Sequence, residues 1–354
     1  MAPFIEINGR RVGPGHPTYV IAELSANHNQ RFDQAVQLVR AAKEVGADAV
    51  KLQTYTPDTL TIRSNMEHFR IRGGTLWDGR TLYDLYAAAY MPWEWQPELK
   101  EIAAQVGIDL FSTAYDTTAA DFLAKMDVPA YKVASFENVD LPLIEYIAGK
   151  GRPMIVSTGM ASLGEIEDAV QAAQRGGATQ LALLKCTSAY PSPPDEMHLR
   201  AIPHLTAAFG VPVGLSDHTL GIAVAIAAVA LGACVVEKHL TLSRSSPSAD
   251  AAFSLEPGEF RVMVQGIREA EHALGEVRYG PSRNEARSLV FRRSLFVVRD
   301  VKAGEVLTEA NIRSIRPGYG LASKFWNQVI GRRAATDIPA GTPLSWGLIG
   351  GNRA

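Results

Sequence analysis

Between residues 19 and 275, eight short apolar runs alternate with stretches in which apolar residues recur every three or four positions. The runs cover residues 19–24, 49–54, 109–114, 130–135, 154–158, 181–186, 211–218 and 233–240. A strand exposed on one face alternates apolar and polar side chains, whereas a parallel strand covered on both faces is apolar throughout. Residues 32–45 and 163–176 carry the helical period between such runs. Eight strand-helix units predict an α/β fold, the (β/α)8 TIM barrel, with a doubly wound open sheet as the alternative.

The ends of the runs favour the barrel. Glu23, Lys51 with Gln53, Thr113, Lys132 with Ser135, Ser157, Ser216 with His218, and Glu237 with His239 stand toward the C-terminal side of a run. Barrel active sites are built at that end. His218 and His239 fall on the last two strands, neighbours in a closed barrel, and imidazole suits first-row divalent metals. Two hydrogen-bonded loop histidines are the structural alternative. Lys51, Lys132, Lys185 and Lys238 lie on or beside strand ends, some facing outward by alternation, and those converging on one mouth suit an anionic ligand. Ser135, Ser157, Thr158 and Ser216 add hydroxyl donors for phosphate oxygens. Glu23 interrupts an apolar run, placed either for chemistry or for an ion pair with Lys51 on the adjacent strand. The 73–96 connection is long and carries Trp77, Trp93 and Trp95, as a lid or as satellite core.

Residues 4–12 alternate around Asn8-Gly9, a hairpin signal, and the hairpin is expected to close the barrel floor. The division is then 1–15 for the hairpin segment, 16–278 for the barrel, 279–290 for a polar linker containing Pro281, and 291–354 for a small, mostly β module. That module has strand candidates at 294–298, 306–307 and 343–345 and is below the size at which a lone core is comfortably stable. A net charge of −2 without long single-sign runs gives no basis for a nucleic-acid or membrane partner. No apolar stretch reaches the ~18 residues that cross a bilayer, and residues 1–15 lack a leader's apolar core, so a cytoplasmic protein is expected. Cys186 and Cys234 sit in apolar runs without a C-x-x-C pair and are expected to be reduced structural thiols.

Taken together, Ala22-Glu-Leu-Ser-Ala-Asn-His-Asn, Lys51-Leu-Gln-Thr, Tyr131-Lys-Val-Ala-Ser, Ser157-Thr-Gly-Met, Ser216-Asp-His-Thr-Leu-Gly and Glu237-Lys-His resemble the sialic acid synthase family in order and spacing. The C-terminal module, with Arg316-Pro-Gly and Gly331-Arg-Arg, is similar to that family's antifreeze-like (SAF) domain. Leu24-Ser25 and Gln30 in the first motif, and the 74–86 and 91–96 segments, look like the family's pseudaminic branch.

The resemblance implies a metal-dependent transferase that condenses phosphoenolpyruvate with an open-chain amino sugar by C–O cleavage. It implies that His218 and His239 hold Mn²⁺ or Mg²⁺, with Co²⁺ a further candidate. Lys51, Thr113, Lys132, Ser135, Ser157 and Ser216, with Ser188 and Tyr190 nearby, would bind phosphoenolpyruvate. Glu23 would assist water, and Gln53, Glu137 and Asp250 would face the sugar. Arg316 would reach the other subunit of a domain-swapped homodimer. For the pseudaminic branch the acceptor is 2,4-diacetamido-2,4,6-trideoxy-altrose, and Leu24 with the tryptophan-rich segment would form an apolar patch for its 6-deoxy end. N-acetylneuraminate and legionaminate synthases of the same family are alternatives. A Schiff-base aldolase, which would need a neutral lysine among cations, and a non-catalytic carbohydrate- or ice-binding protein are the rivals of other kinds.

Overall fold

The structure, a computed structural model, describes residues 3–351. The outermost residues of the two terminal segments, 1–2 and 352–354, lie outside the described residues. The chain divides after Gly275 into two compact units.

In the first unit, eight parallel strands form a closed barrel. After the hairpin strands β1 (Ile5–Ile7) and β2 (Arg10–Val12), these are β3 (Tyr19–Glu23), β4 (Ala49–Thr54), β5 (Asp109–Ala114), β6 (Tyr131–Val133), β7 (Met154–Ser157), β8 (Leu181–Cys186), β9 (Val213–Asp217) and β10 (Val235–His239). They follow one another around the barrel in chain order, and β10 closes onto β3. The strands are buried along almost their whole length, which is why both faces had to be apolar. Helix Phe32–Glu44 buries Ala35, Leu38, Val39 and Ala42, the i, i+3, i+4, i+7 stripe that packs it on the barrel. Helix Leu163–Arg175 is started by a Ser162/Glu165 capping box, which satisfies backbone N–H groups left free at a helix start.

The hairpin turns at Asn8 and Gly9, both with positive φ, as a two-residue turn of this kind requires. Ile5, Ile7 and Val12 are fully buried in the barrel's core, and Asn8 donates to Asp109, the first residue of β5, at 2.6 Å. The hairpin therefore packs at the N-terminal end of the strands, away from the mouth. Among the described residues, no helix is long and apolar enough to cross a membrane.

Period-two alternation sorts the strand-end residues. On β4, Thr54 bonds outward to Gln96 of the surrounding helices and to the outward-facing Ser112 of β5, so Lys51 and Gln53 point inward. On β9 and β10, Asp217 and Lys238 point outward and pair at 2.7 Å with both side chains fully buried. Ser216, His218, Glu237 and His239 are thereby turned into the barrel. Gly214 on β9 allows close strand approach, since a Cβ there would lie 2.4 Å from the Val235 carbonyl oxygen.

The second unit has its own small core of Leu295, Val297, Val301, Leu307, Ile312, Val329 and Leu344. Strand Ser294–Val297 pairs antiparallel with Ile312–Ile315. The sequence reading missed the second of these, where two isoleucines flank Arg313 and Ser314. Conversely, Val306 and Pro343 form only isolated bridges rather than strands, because the chain turns away after one pairing.

The Asp217–Lys238 pair also yields a test. Asp217→Ala strands a buried ammonium and should cost about 3–5 kcal/mol in urea unfolding, whereas the double change with Lys238→Met should cost clearly less, because no unpaired charge remains.

Candidate active site

The inward residues of the C-terminal strand ends line a cavity of about 380 Å³. Its centre is an ion cluster. Lys51 Nζ lies 3.0 Å from Glu23 Oε2 and 2.9 Å from Glu237 Oε1, all three residues being at least nine-tenths buried. Glu23 Oε1 accepts from the Ser25 backbone N–H at 3.1 Å and from Gln53 Nε2 at 3.0 Å. Glu23 Oε2 takes no aligned hydrogen bond despite its closeness to the ammonium, so it retains capacity to accept a proton. Ser216 donates to Glu237 Oε1 at 3.0 Å. Next along, Lys132 Nζ donates to Ser157 Oγ and to the Val133 carbonyl, each at 2.6 Å. Ser135 Oγ accepts from Gly159 N at 3.2 Å, and a Cβ at Gly159 would fall 2.2 Å from Ser188 Oγ. The glycine is what lets these two serines approach one another.

The two histidines stand on the same wall, their ring centroids 5.3 Å apart. His218 Nδ1 lies 3.0 Å from the Thr187 carbonyl, to which it donates as N–H, leaving Nε2 as a bare acceptor. His239 Nδ1 is buried without a hydrogen-bond partner, with Asp250 Oδ2 3.9 Å away. Two imidazoles with uncommitted nitrogens fit a divalent cation. Among the described residues no third His, Cys, Asp or Glu completes a metal-binding group, so the donor set is that of an open site.

The NeuB family model matches residues 38–279. The chain belongs to the NeuB family. A SAF domain model matches residues 292–349. The chain is 44% identical over 326 residues to a pseudaminic acid synthase of Campylobacter jejuni, covering 92% of this chain and 95% of the relative. It is 38% identical over 348 residues to the N,N'-diacetyllegionaminic acid synthase of Legionella pneumophila, covering 96% and 97%. Among solved structures, the N-acetylneuraminic acid synthetase of Leptospira borgpetersenii superposes with a TM-score of 0.73 at 29% identity, covering 82% of this chain and 96% of that one.

In this NeuB-family chain, Glu23, Lys51, Gln53, Lys132, Ser135, Glu137, Ser157, Tyr190, Ser216, His218, His239 and Asp250 all line the cavity. Thr113 does not: it is fully buried one strand from both Gln53 and Lys132, its hydroxyl without a partner. Ser188 is not among the lining residues, and its hydroxyl lies 3.8 Å from Cys186 Sγ. Arg316 is exposed on the second unit. Lys185 and Lys238 face away from the cavity. Leu24 does not form the apolar patch expected of it, being fully buried in the core. Of the three tryptophans only Trp77 reaches the cavity, against Tyr190 with ring centroids 5.7 Å apart, while Trp93 and Trp95 pack on the barrel core.

Sequence reasoning assigned no role to Glu237 or to Cys186, both of which line the cavity. For Glu237 a signal existed: if His239 points inward, so does the residue two before it. Cys186, expected from its apolar run to be a structural thiol, places its sulfur 3.8 Å from His218 Nδ1.

Burial and charge set the protonation of the site. Burial pulls the Lys51 ammonium down, but Glu23 and Glu237 reverse this and hold it above its usual range. This is opposite to what an imine-forming lysine needs. Burial and the facing Glu237 raise Glu23 to about 7 even against Lys51, while Lys51 and Lys132 keep Glu237 ionised, well below the usual carboxylate range. Burial lowers Lys132 to about 8. Burial also drives His239 well below its usual value, helped by the charges of Lys51 and Lys238, so it stands neutral and able to ligate. Glu137 is raised to about 7, chiefly by burial.

For Glu137 the linkage runs against folding at high pH. Its folded pKa exceeds the unfolded one, so stability is lost as pH rises from about 4.5 to about 7 and the penalty persists above. Glu137→Gln should therefore gain on the wild type in urea midpoint between pH 5 and pH 8. A constant difference across that window would contradict the assignment.

Proposed function

We propose that this chain is a pseudaminic acid synthase, which joins phosphoenolpyruvate to 2,4-diacetamido-2,4,6-trideoxy-altrose and water and releases phosphate. The observation that carries the reading is one cavity holding the Lys51–Lys132 corner with its serines, the His218–His239 pair and a carboxylate poised near neutrality. The 44% identity to a pseudaminic acid synthase over nearly the whole chain supports the acceptor.

In this reading Lys51, Lys132, Ser135, Ser157 and Ser216 hold the carboxylate and phosphate of phosphoenolpyruvate, with Thr113, Ser188 and Tyr190 supporting them, and fix its C3 against the acceptor. Gln53, Glu137 and Asp250 bind the sugar. A divalent cation, Mn²⁺, Mg²⁺ or Co²⁺, held by His218 and His239 would supply Lewis-acid polarisation of the aldehyde oxygen. C3 attacks the aldehyde carbon, a C–C bond forms, and the aldehyde oxygen takes a proton from solvent to become a hydroxyl. Water adds at C2 and its proton passes to Glu23, which burial has made basic enough to accept it. The C2–O bond to phosphate then breaks as the ketone forms, and the proton of the C2 hydroxyl leaves with the phosphate. Glu237 stays ionised throughout and keeps Lys51 cationic.

Phosphate release should be clearly faster with the altro sugar than with N-acetylmannosamine. Equal or better turnover of N-acetylmannosamine would refute the pseudaminic reading and leave the family untouched.

We further infer a cytoplasmic homodimer in which the cavity of one chain is served by the partner's Arg316. Arg316 is exposed and carries no ion pair among the described residues, which leaves its guanidinium free for a carboxylate or a sugar. Mixing Arg316→Ala chains with His218→Ala chains should restore activity at one of the two sites in each mixed dimer. No recovery after verified subunit exchange would sink the arrangement.

A further inference from the structure

Three tyrosines that the reaction scheme leaves without a role line the same cavity. Tyr55 follows β4, Tyr115 follows β5, and Tyr86 comes from helix Leu82–Ala89. Tyr55 meets both of the others edge to face, with ring centroids 5.8 Å from Tyr86 and 5.2 Å from Tyr115. None of the three hydroxyls has a hydrogen-bond partner among the described residues, and none is sealed off, so each is available to a ligand in the cavity. Buried tyrosines normally find a partner for the O–H. Burial raises all three phenols above their usual range, so they remain donors.

The surroundings narrow the ligand. Leu82, Leu85, Tyr86 and Ala89 stand at i, i+3, i+4 and i+7, so one face of their helix forms an apolar wall of the cavity, and Leu60 and Ile71 extend it. Glu137 lies close enough for its charge to act on Tyr86 and Tyr115, and its Oε2 is buried without a partner. A sugar hydroxyl would leave the apolar wall unused, and a bare methyl would leave the donors unused. An acetamido group uses all of it: its carbonyl accepts from a phenol, its N–H donates to Glu137, and its methyl packs on the leucines.

We propose that Tyr55, Tyr86 and Tyr115 form the subsite that recognises an N-acetyl group of the acceptor sugar. The subsite rests on the synthase reading above and adds the residues that select the acceptor. A site built to hydrogen-bond a substrate group rejects analogues lacking it, because its own buried polar groups are then left unpaired.

The test begins with wild-type turnover of the diacetamido altro sugar. If that fails and N-acetylmannosamine is used instead, the pseudaminic reading falls, and the tyrosine series is run on the sugar that is turned over. Tyr55→Phe, Tyr86→Phe and Tyr115→Phe each remove one hydroxyl and keep the ring. At least one should lower kcat/KM for the acceptor by roughly tenfold or more, with KM for phosphoenolpyruvate and the melting temperature unchanged. Acceptor analogues with one acetamido group replaced by hydroxyl supply the second readout: the penalty of the tyrosine change should vanish with the analogue that lacks the recognised group. Unchanged acceptor kinetics in all three variants would overturn the proposal. So would a loss that persists with every analogue or that shifts KM for phosphoenolpyruvate alike, since either marks a structural role.

Discussion

A buried ammonium held between two buried carboxylates is the constraint around which this barrel's mouth is organised. Glu23, Lys51 and Glu237 sit on β3, β4 and β10, and those strands are consecutive only because the barrel closes. In a half-formed or open sheet the three charges would lose one another, and an unpaired charge in such an interior costs several kcal/mol. The cluster thus couples closure of the sheet to the protonation of the site. It fixes Lys51 as a cation, leaves Glu237 ionised and sets Glu23 near neutrality.

The same alternation that turns these residues inward places a second ion pair on the outside of the same strands. Asp217 and Lys238 are sealed between sheet and helices, while Ser216 and Glu237, one residue earlier on each strand, face the cavity. Two adjacent strands therefore carry separate polar networks on opposite faces. A one-residue slip would exchange them, exposing the site histidines to the helical layer, so register here is strongly specified.

How much of the site was legible depended on whether a residue lay on a strand. Lys51, Lys132, Ser157, Ser216, His218 and His239 could be placed at the mouth because strand ends of a parallel barrel share one side. Glu237 followed from the same alternation but was passed over beside the histidines. Leu24 was misjudged because it follows β3 directly and enters the core, a choice made by packing rather than by local pattern. The tyrosine wall was invisible: Tyr55 and Tyr115 follow their strands and Tyr86 sits on a short helix in a long connection. Nothing in residues 55, 86 and 115 announces that their rings meet.

By itself the sequence determined the parallel barrel, the family and the strand-end residues, because continuous apolar runs and two- and four-residue periods are local properties that survive in one dimension. Only the tertiary structure decided which lysine is clamped between carboxylates, which carboxylate is left near neutrality, and which apolar side chains line the cavity rather than the core. Those outcomes depend on burial and on charges brought together from residues 23, 51 and 237, and both exist only once the barrel has closed.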